Sequence, residues 1–257
     1  MFIIIIMIIA IAGKGGTGKT TIASLILKAL VESKAGYVLA VDADPNATLA
    51  DSIGLKIEST ISSICEEMLK EKDNLPAGMS KDSFLHYKIQ HSLVERENLA
   101  FLAMGRPEGP GCYCYANNLL REILKDLTED FRFTVIDNEA GMEHISRKTA
   151  RKIDILFAVS DYSPIGVRSA GRIFNLIKEM EIKVGESFLI VNRVTNNLSL
   201  LEKEIKNTGL SLAGSIPFDA EVEILNLDGK SLWCLPKETK IVQCIENLVK
   251  KIILKKT

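Results

Sequence analysis

Residues 13–20 read Gly-Lys-Gly-Gly-Thr-Gly-Lys-Thr, a G-x-x-x-x-G-K-[ST] arrangement set between an apolar run and the periodic stretch TTIASLILKALVE. Gly13, Gly15, Gly16 and Gly18 let successive backbone N–H groups turn inward around phosphate oxygens, and the start of a helix adds its positive end. In such a loop Lys19 reaches the β- and γ-phosphates and Thr20 binds Mg²⁺, with Thr17 and Thr21 in the same cradle. The plain alternative is an ordinary glycine-rich turn, but here strand, loop and helix all fall in register.

Two further acidic sites follow. In VDADPNATL, Asp42 and Asp44 are two residues apart and share a face of an extended strand, which Pro45 then stops. Asp44 is expected to orient or activate an attacking water, and Asp42 to support the site from behind or lie on the magnesium side; the bland reading is an acidic strand exit. In FTVIDNEAGMEH an apolar strand ends in Asp137, which places a carboxylate near Mg²⁺ or one of its waters. Gly141 follows and allows a phosphate-dependent movement. Asn192 and Arg193 end the apolar run FLIVNR, and Pro217 and Asp219 end SIPFD. An amide offers donor and acceptor together to a purine edge, so these four are either base contacts or structural residues.

Cys112 and Cys114 enclose Tyr113 in the loop RPEGPGCYC. Two thiolates are too few for a structural zinc site, which takes four protein ligands. A symmetric dimer supplies the deficit, because one Cys-x-Cys from each subunit makes an S₄ site on the two-fold axis. That set suits Zn²⁺, Ni²⁺ or an iron–sulfur cluster. A redox pair and two incidental loop thiols are the other readings. His144 reads as solvated or supporting, and Cys65, Cys234 and Cys244 as buried structural thiols.

These residues need a scaffold of βα units, and the chain alternates short β-branched runs with amphipathic stretches. Strands are expected near 6–12, 37–42, 98–104, 132–137, 154–160, 187–192 and 211–216. Helices are expected at 19–32, 60–71, 115–128, 145–152, 167–180, 199–207 and 238–253. This is an α/β fold with a mostly parallel central sheet and helices on both faces. Residues 1–257 form one domain, with a helical insertion at 60–97 and a metal-binding loop at 105–114. Loops at the carboxyl ends of strands carry the chemistry in such sheets.

The apolar run MFIIIIMIIAIA is too short to span a bilayer as a helix and reads as a buried strand. It is longer than one strand needs, and Met7 offers a second start. The C-terminal KIVQCIENLVKKIILKKT is basic and partly amphipathic, but reads as a helix packed on the sheet rather than a membrane contact. With 32 Lys plus Arg against 33 Asp plus Glu, no basic excess points to nucleic acid. Five cysteines without a disulfide-like spacing place the chain in a reducing cytoplasm.

Lys14, at the second position of GKGGTGKT, makes the chain resemble the deviant Walker A ATPases: septum-site and partitioning ATPases and the nitrogenase iron protein. The resemblance implies a P-loop NTPase that hydrolyses ATP to ADP and forms a nucleotide-sandwich homodimer, with Lys14 reaching the partner's phosphates. It also implies roles for Asp44, Asp137 and the Asn192/Asp219 region in water activation, magnesium binding and adenine recognition. AMGRPEGPGCYCYANNLLR and VIDNEAGMEHISR are similar to the nickel-insertion accessory ATPases of carbon-monoxide dehydrogenase, the CooC type. That narrower resemblance implies a metallochaperone with Ni²⁺ or Zn²⁺ shared through Cys112 and Cys114, and the dehydrogenase as client. The alternatives are a positioning or partitioning ATPase, or an ATP-dependent iron–sulfur carrier.

Overall fold

The computed structural model describes residues 6–70, 81–106, 127, 130–140 and 152–256. Cys112, Cys114, Gly141 and His144 lie outside the described residues, as do nearly all of the metal-binding loop and of the helices expected at 115–128 and 145–152.

Eight strands form one sheet: β1 (Met7–Gly13), β2 (Val38–Asp42), β3 (Val94–Arg96), β4 (Leu99–Ala103), β5 (Phe133–Asp137), β6 (Lys152–Ser160), β7 (Lys183–Val194) and β8 (Ser211–Pro217). Their order is β3-β4-β2-β5-β1-β6-β7-β8. Every pair is parallel except β3 with β4. The central strands are buried on both faces, so they read as continuous apolar runs and not as alternating ones.

Alternate residues of each strand feed opposite layers. Ile9 and Ile11 of β1 join Phe133, Val135, Ile155, Phe157 and Val159 on one face. Helix α1 (Lys19–Ser33), the short α2 (Thr48–Ile53) and α8 (Lys240–Leu248) cover that face. On the other face, Leu39, Val41 and Ile136 pack under α3 (Ile61–Lys70) and α4 (Lys81–Ser92). Ala10, Ala12, Leu156 and Ala158 pack under α5 (Pro164–Glu179). Two short helices, α6 (Glu202–Asn207) and α7 (Ala220–Leu227), flank β8.

The C-terminal segment lies on the sheet as expected. Ile241, Val242, Ile245 and Leu248 are buried, and a π-turn over Val249–Ile253 adds Val249 and Ile253. Among the described residues no helix is long and apolar enough to cross a membrane.

The structure departs from the sequence reading at several points: Cys234, expected as a buried thiol, is exposed. The stretch 60–97 carries α3 and α4, and adds a short strand, Val94–Arg96, that pairs antiparallel with β4 before Glu97 turns in the left-handed region. Lys152 opens β6 and does not end a helix. Helix α2 is capped from a distance: Ala47 precedes it in a left-handed conformation without a side-chain cap, and the Leu49 N–H donates to Asp42 Oδ2 at 2.8 Å. Helix α7 is capped by Asp219, whose Oδ1 accepts from Glu221 N at 3.0 Å, which gives this residue a structural role, one of the two readings open from its position.

Candidate nucleotide site

The strand order brings the expected residues together at the carboxyl ends of β2, β5, β1 and β6. After β5 the chain crosses β1 to build β6, which opens a crevice at this end of the sheet. Asp137 stands in register with both Ile11 and Asp42, and Gly13 with Val159. Gly13 has no room for a side chain, since a Cβ there would lie 2.4 Å from the Val159 carbonyl oxygen.

The loop after β1 exposes Lys14, Gly15 and Gly16, then buries Thr17 and Lys19. Thr17 Oγ1 donates to the Lys14 carbonyl at 2.9 Å and Lys19 Nζ rests on the same oxygen at 3.4 Å. Gly18 has φ 87, and a Cβ on it would lie 2.3 Å from Asn192 Nδ2, so backbone conformation and space both require glycine. Burial pushes the Lys19 ammonium below its ordinary pKa, and the carboxylates of Asp137, Asp44 and Glu139 oppose that shift.

Asp42 and Asp137 are both buried and adjacent. Asp42 does not face the loop's opening: Oδ1 accepts from Asp44 N at 3.0 Å and Oδ2 from Leu49 N. It therefore ties the Asp44 turn to the first turn of α2. Burial, then the charge of Asp137, raises the Asp42 pKa to about 7 against the pull of those two N–H groups. Asp137 is also raised to about 7, chiefly by burial, while the Thr20 hydroxyl and the Lys19 ammonium pull it down.

Thr20 Oγ1 donates to Asp137 Oδ2 at 2.6 Å, whereas Asp137 Oδ1 is buried without a hydrogen-bond partner. A buried carboxylate oxygen left bare beside a hydroxyl is an oxygen donor set that fits Mg²⁺. Asp44 is half-buried at the rim, where Oδ1 accepts from Asn46 N at 2.9 Å and Asn46 Nδ2 at 3.0 Å.

Asn192, Arg193, Pro217 and Asp219 are brought together with Thr21, Phe218 and Val222 around one small cleft. Asn192 also reaches the phosphate loop, donating from Nδ2 to the Thr17 carbonyl at 2.9 Å. Beside Lys14 lies a separate open cleft of about 460 Å³ lined by Gly15, Ala140, Ser169, Arg172 and Ile173. Sequence reasoning missed Arg172, which carries no motif. It also missed Asn138, whose Nδ2 donates to the Ile11 carbonyl at 2.9 Å and pins the end of β5 to β1. The only signal for Asn138 was its place directly after Asp137. Among the described residues no group of three His, Cys, Asp or Glu is arranged to hold a metal ion.

A phosphate-gripping loop at the end of β1 and a bare carboxylate at the end of β5 define a P-loop ATPase. The chain belongs to the CobQ/CobB/MinD/ParA nucleotide-binding domain family, whose model matches residues 8–232. An uncharacterised ATP-binding protein of Methanocaldococcus jannaschii is 42% identical over 253 residues, 97% of this chain and 100% of that protein. The carbon monoxide dehydrogenase accessory protein CooC of Rhodospirillum rubrum is 30% identical over 241 residues, 89% of this chain and 90% of that protein. The fold matches the Pyrococcus furiosus cell division ATPase MinD with a TM-score of 0.74 at 20% identity, covering 98% of this chain and 100% of that one.

Proposed function

We propose that this ATPase is a nickel-insertion accessory factor for carbon-monoxide dehydrogenase. Nucleotide-dependent homodimerisation would bring Cys112 and Cys114 of two subunits together on one nickel ion, the cargo. The observation that carries this reading is the 30% identity to the Rhodospirillum rubrum accessory protein along nine-tenths of both chains.

The roles follow from chemistry. The backbone N–H groups of residues 13–20 and the buried Lys19 bind the β- and γ-phosphates, and desolvation strengthens that ionic contact. Thr20 and Asp137 would hold Mg²⁺, which would supply positive charge to offset the negative charge developing on the β- and γ-phosphate oxygens. Lys14, exposed at the mouth, reaches the phosphates bound by the partner subunit. Asp44 orients the water whose oxygen attacks the γ-phosphorus as the bond to ADP breaks. Asp42 keeps Asp44 in place and couples it to α2. Asn192, Arg193, Pro217 and Asp219 receive the adenine.

The same core also suits a positioning ATPase, for which the cysteines are dispensable. The discriminating experiment is metal stoichiometry with molar mass on reduced, anaerobic protein, titrated with Ni²⁺ and Zn²⁺ with and without ATP. One tight metal per dimer, lost in a Cys112→Ser/Cys114→Ser variant, supports the nickel reading. Unchanged metal binding in the variant, or none in either protein, moves the assignment to the positioning class.

A further inference from the structure

Peptide planarity gives the phosphate loop a second requirement besides inward N–H groups. An N–H and the preceding C=O point in opposite directions across one peptide unit. A loop that turns its N–H groups toward a phosphate therefore turns carbonyls away from it, and those oxygens need donors. Two consecutive residues at the end of β7 supply them. Asn192, 3% exposed, donates from Nδ2 to the Thr17 carbonyl at 2.9 Å. Arg193 donates from Nη1 to the Gly16 carbonyl at 3.3 Å.

The local backbone is shaped for this contact. The β7–β8 register shifts between Val191 and Val194, and Arg193 has φ 56, in the left-handed region. A bulge re-aims side chains, so that both Asn192 and Arg193 turn toward the loop. On the loop side, Gly18 leaves Asn192 its space. Asn192 and Arg193 also line the cleft formed by Thr21, Pro217, Phe218 and Asp219.

We infer that Asn192 and Arg193 are positioning residues of the phosphate loop: they hold the Thr17 and Gly16 carbonyls outward and so orient the Gly18 and Thr17 peptide planes. This rests on the reading of the loop as a nucleotide site. It goes beyond base recognition, because the same side chains make the shape of the loop depend on what occupies the neighbouring cleft.

A ligand without a base separates the two roles. Binding of Mg·ATP and Mg·tripolyphosphate would be measured by calorimetry on the full chain. The variants are Asn192→Leu, which keeps size and loses the donor without adding charge, Arg193→Ala and Arg193→Lys. Phe218→Ala, in the cleft and off the loop, is the control. Loss of one carbonyl contact should weaken tripolyphosphate about tenfold for Asn192→Leu and about threefold for Arg193→Ala, on the usual scale of a hydrogen bond. ATP should weaken at least as much, Arg193→Lys should recover part of the loss, and Phe218→Ala should weaken ATP alone.

Tripolyphosphate affinity equal to wild type in both Asn192→Leu and Arg193→Ala overturns the inference and leaves base contacts only. Arg193 is exposed, so its variants remain informative if Asn192→Leu fails to fold. A wild type that binds neither ligand refutes the nucleotide site itself, a failure distinguishable from the first.

Discussion

Replacing Asp137 with asparagine should stabilise the nucleotide-free protein while removing its Mg²⁺ response. The buried carboxylate has its pKa raised from 3.8 to about 7. Below pH 4 the group is protonated in both folded and unfolded chains and costs nothing. Between about pH 4 and 7 the unfolded chain releases the proton first, so folding loses stability as pH rises, and the loss is complete above 7. A shift of about 3 units at 1.36 kcal/mol each makes the isolated effect about 4 kcal/mol. Asp42 shares the burial and repulsion, and an asparagine accepts a weaker bond from Thr20, so about 2 kcal/mol is the expected gain for Asp137→Asn at pH 8. Urea midpoints of wild type and variant at pH 5 and pH 8 measure it. The variant should be the more stable at pH 8, the advantage should shrink at pH 5, and Mg·ADP should raise the wild-type midpoint far more than the variant's. A variant less stable than wild type at pH 8 without nucleotide would refute the reasoning.

Three other outcomes follow from the geometry. Asp44→Asn should lower kcat for ATP hydrolysis by about 10²–10⁴-fold with Mg·ATP affinity nearly unchanged, read by phosphate release and calorimetry. Gly18→Ala forces a Cβ toward Asn192 Nδ2 at a φ of 87, so nucleotide binding should be lost while circular dichroism shows a folded protein. Lys28 is buried and donates to the carbonyls of Trp233 and Leu235 at 2.9 and 2.6 Å. Lys28→Met should therefore cost about 3 kcal/mol in urea unfolding, because the buried Leu235 carbonyl and the half-buried Trp233 carbonyl lose a charged donor.

The legible parts were those whose signal is local. The loop at 13–20 carries its own glycines, and the strands ending in Asp42 and Asp137 announce themselves as apolar runs closed by a carboxylate. Tertiary contacts were not legible. Helix α2 owes its start to Asp42, seven residues earlier in another element, so no cap could be read beside it. The strand-end positions of Asn192 and Asp219 left base contact and structural role both open. Their hydrogen bonds show additional work, on the Thr17 carbonyl and on the first turn of α7. Asn138 matters through Ile11, a neighbour that only the sheet order supplies.

The most direct test of the proposed function is activation of nickel-free carbon-monoxide dehydrogenase under anaerobic conditions with limiting Ni²⁺. Wild type and the Cys112→Ser/Cys114→Ser variant would each be assayed with ATP and with a non-hydrolysable analogue. Carbon-monoxide oxidation should rise above the metal-only background for wild type with ATP, and stay at background with the analogue or the variant. Equal activation in all mixtures would contradict the account, leaving an ATPase whose cargo is not nickel.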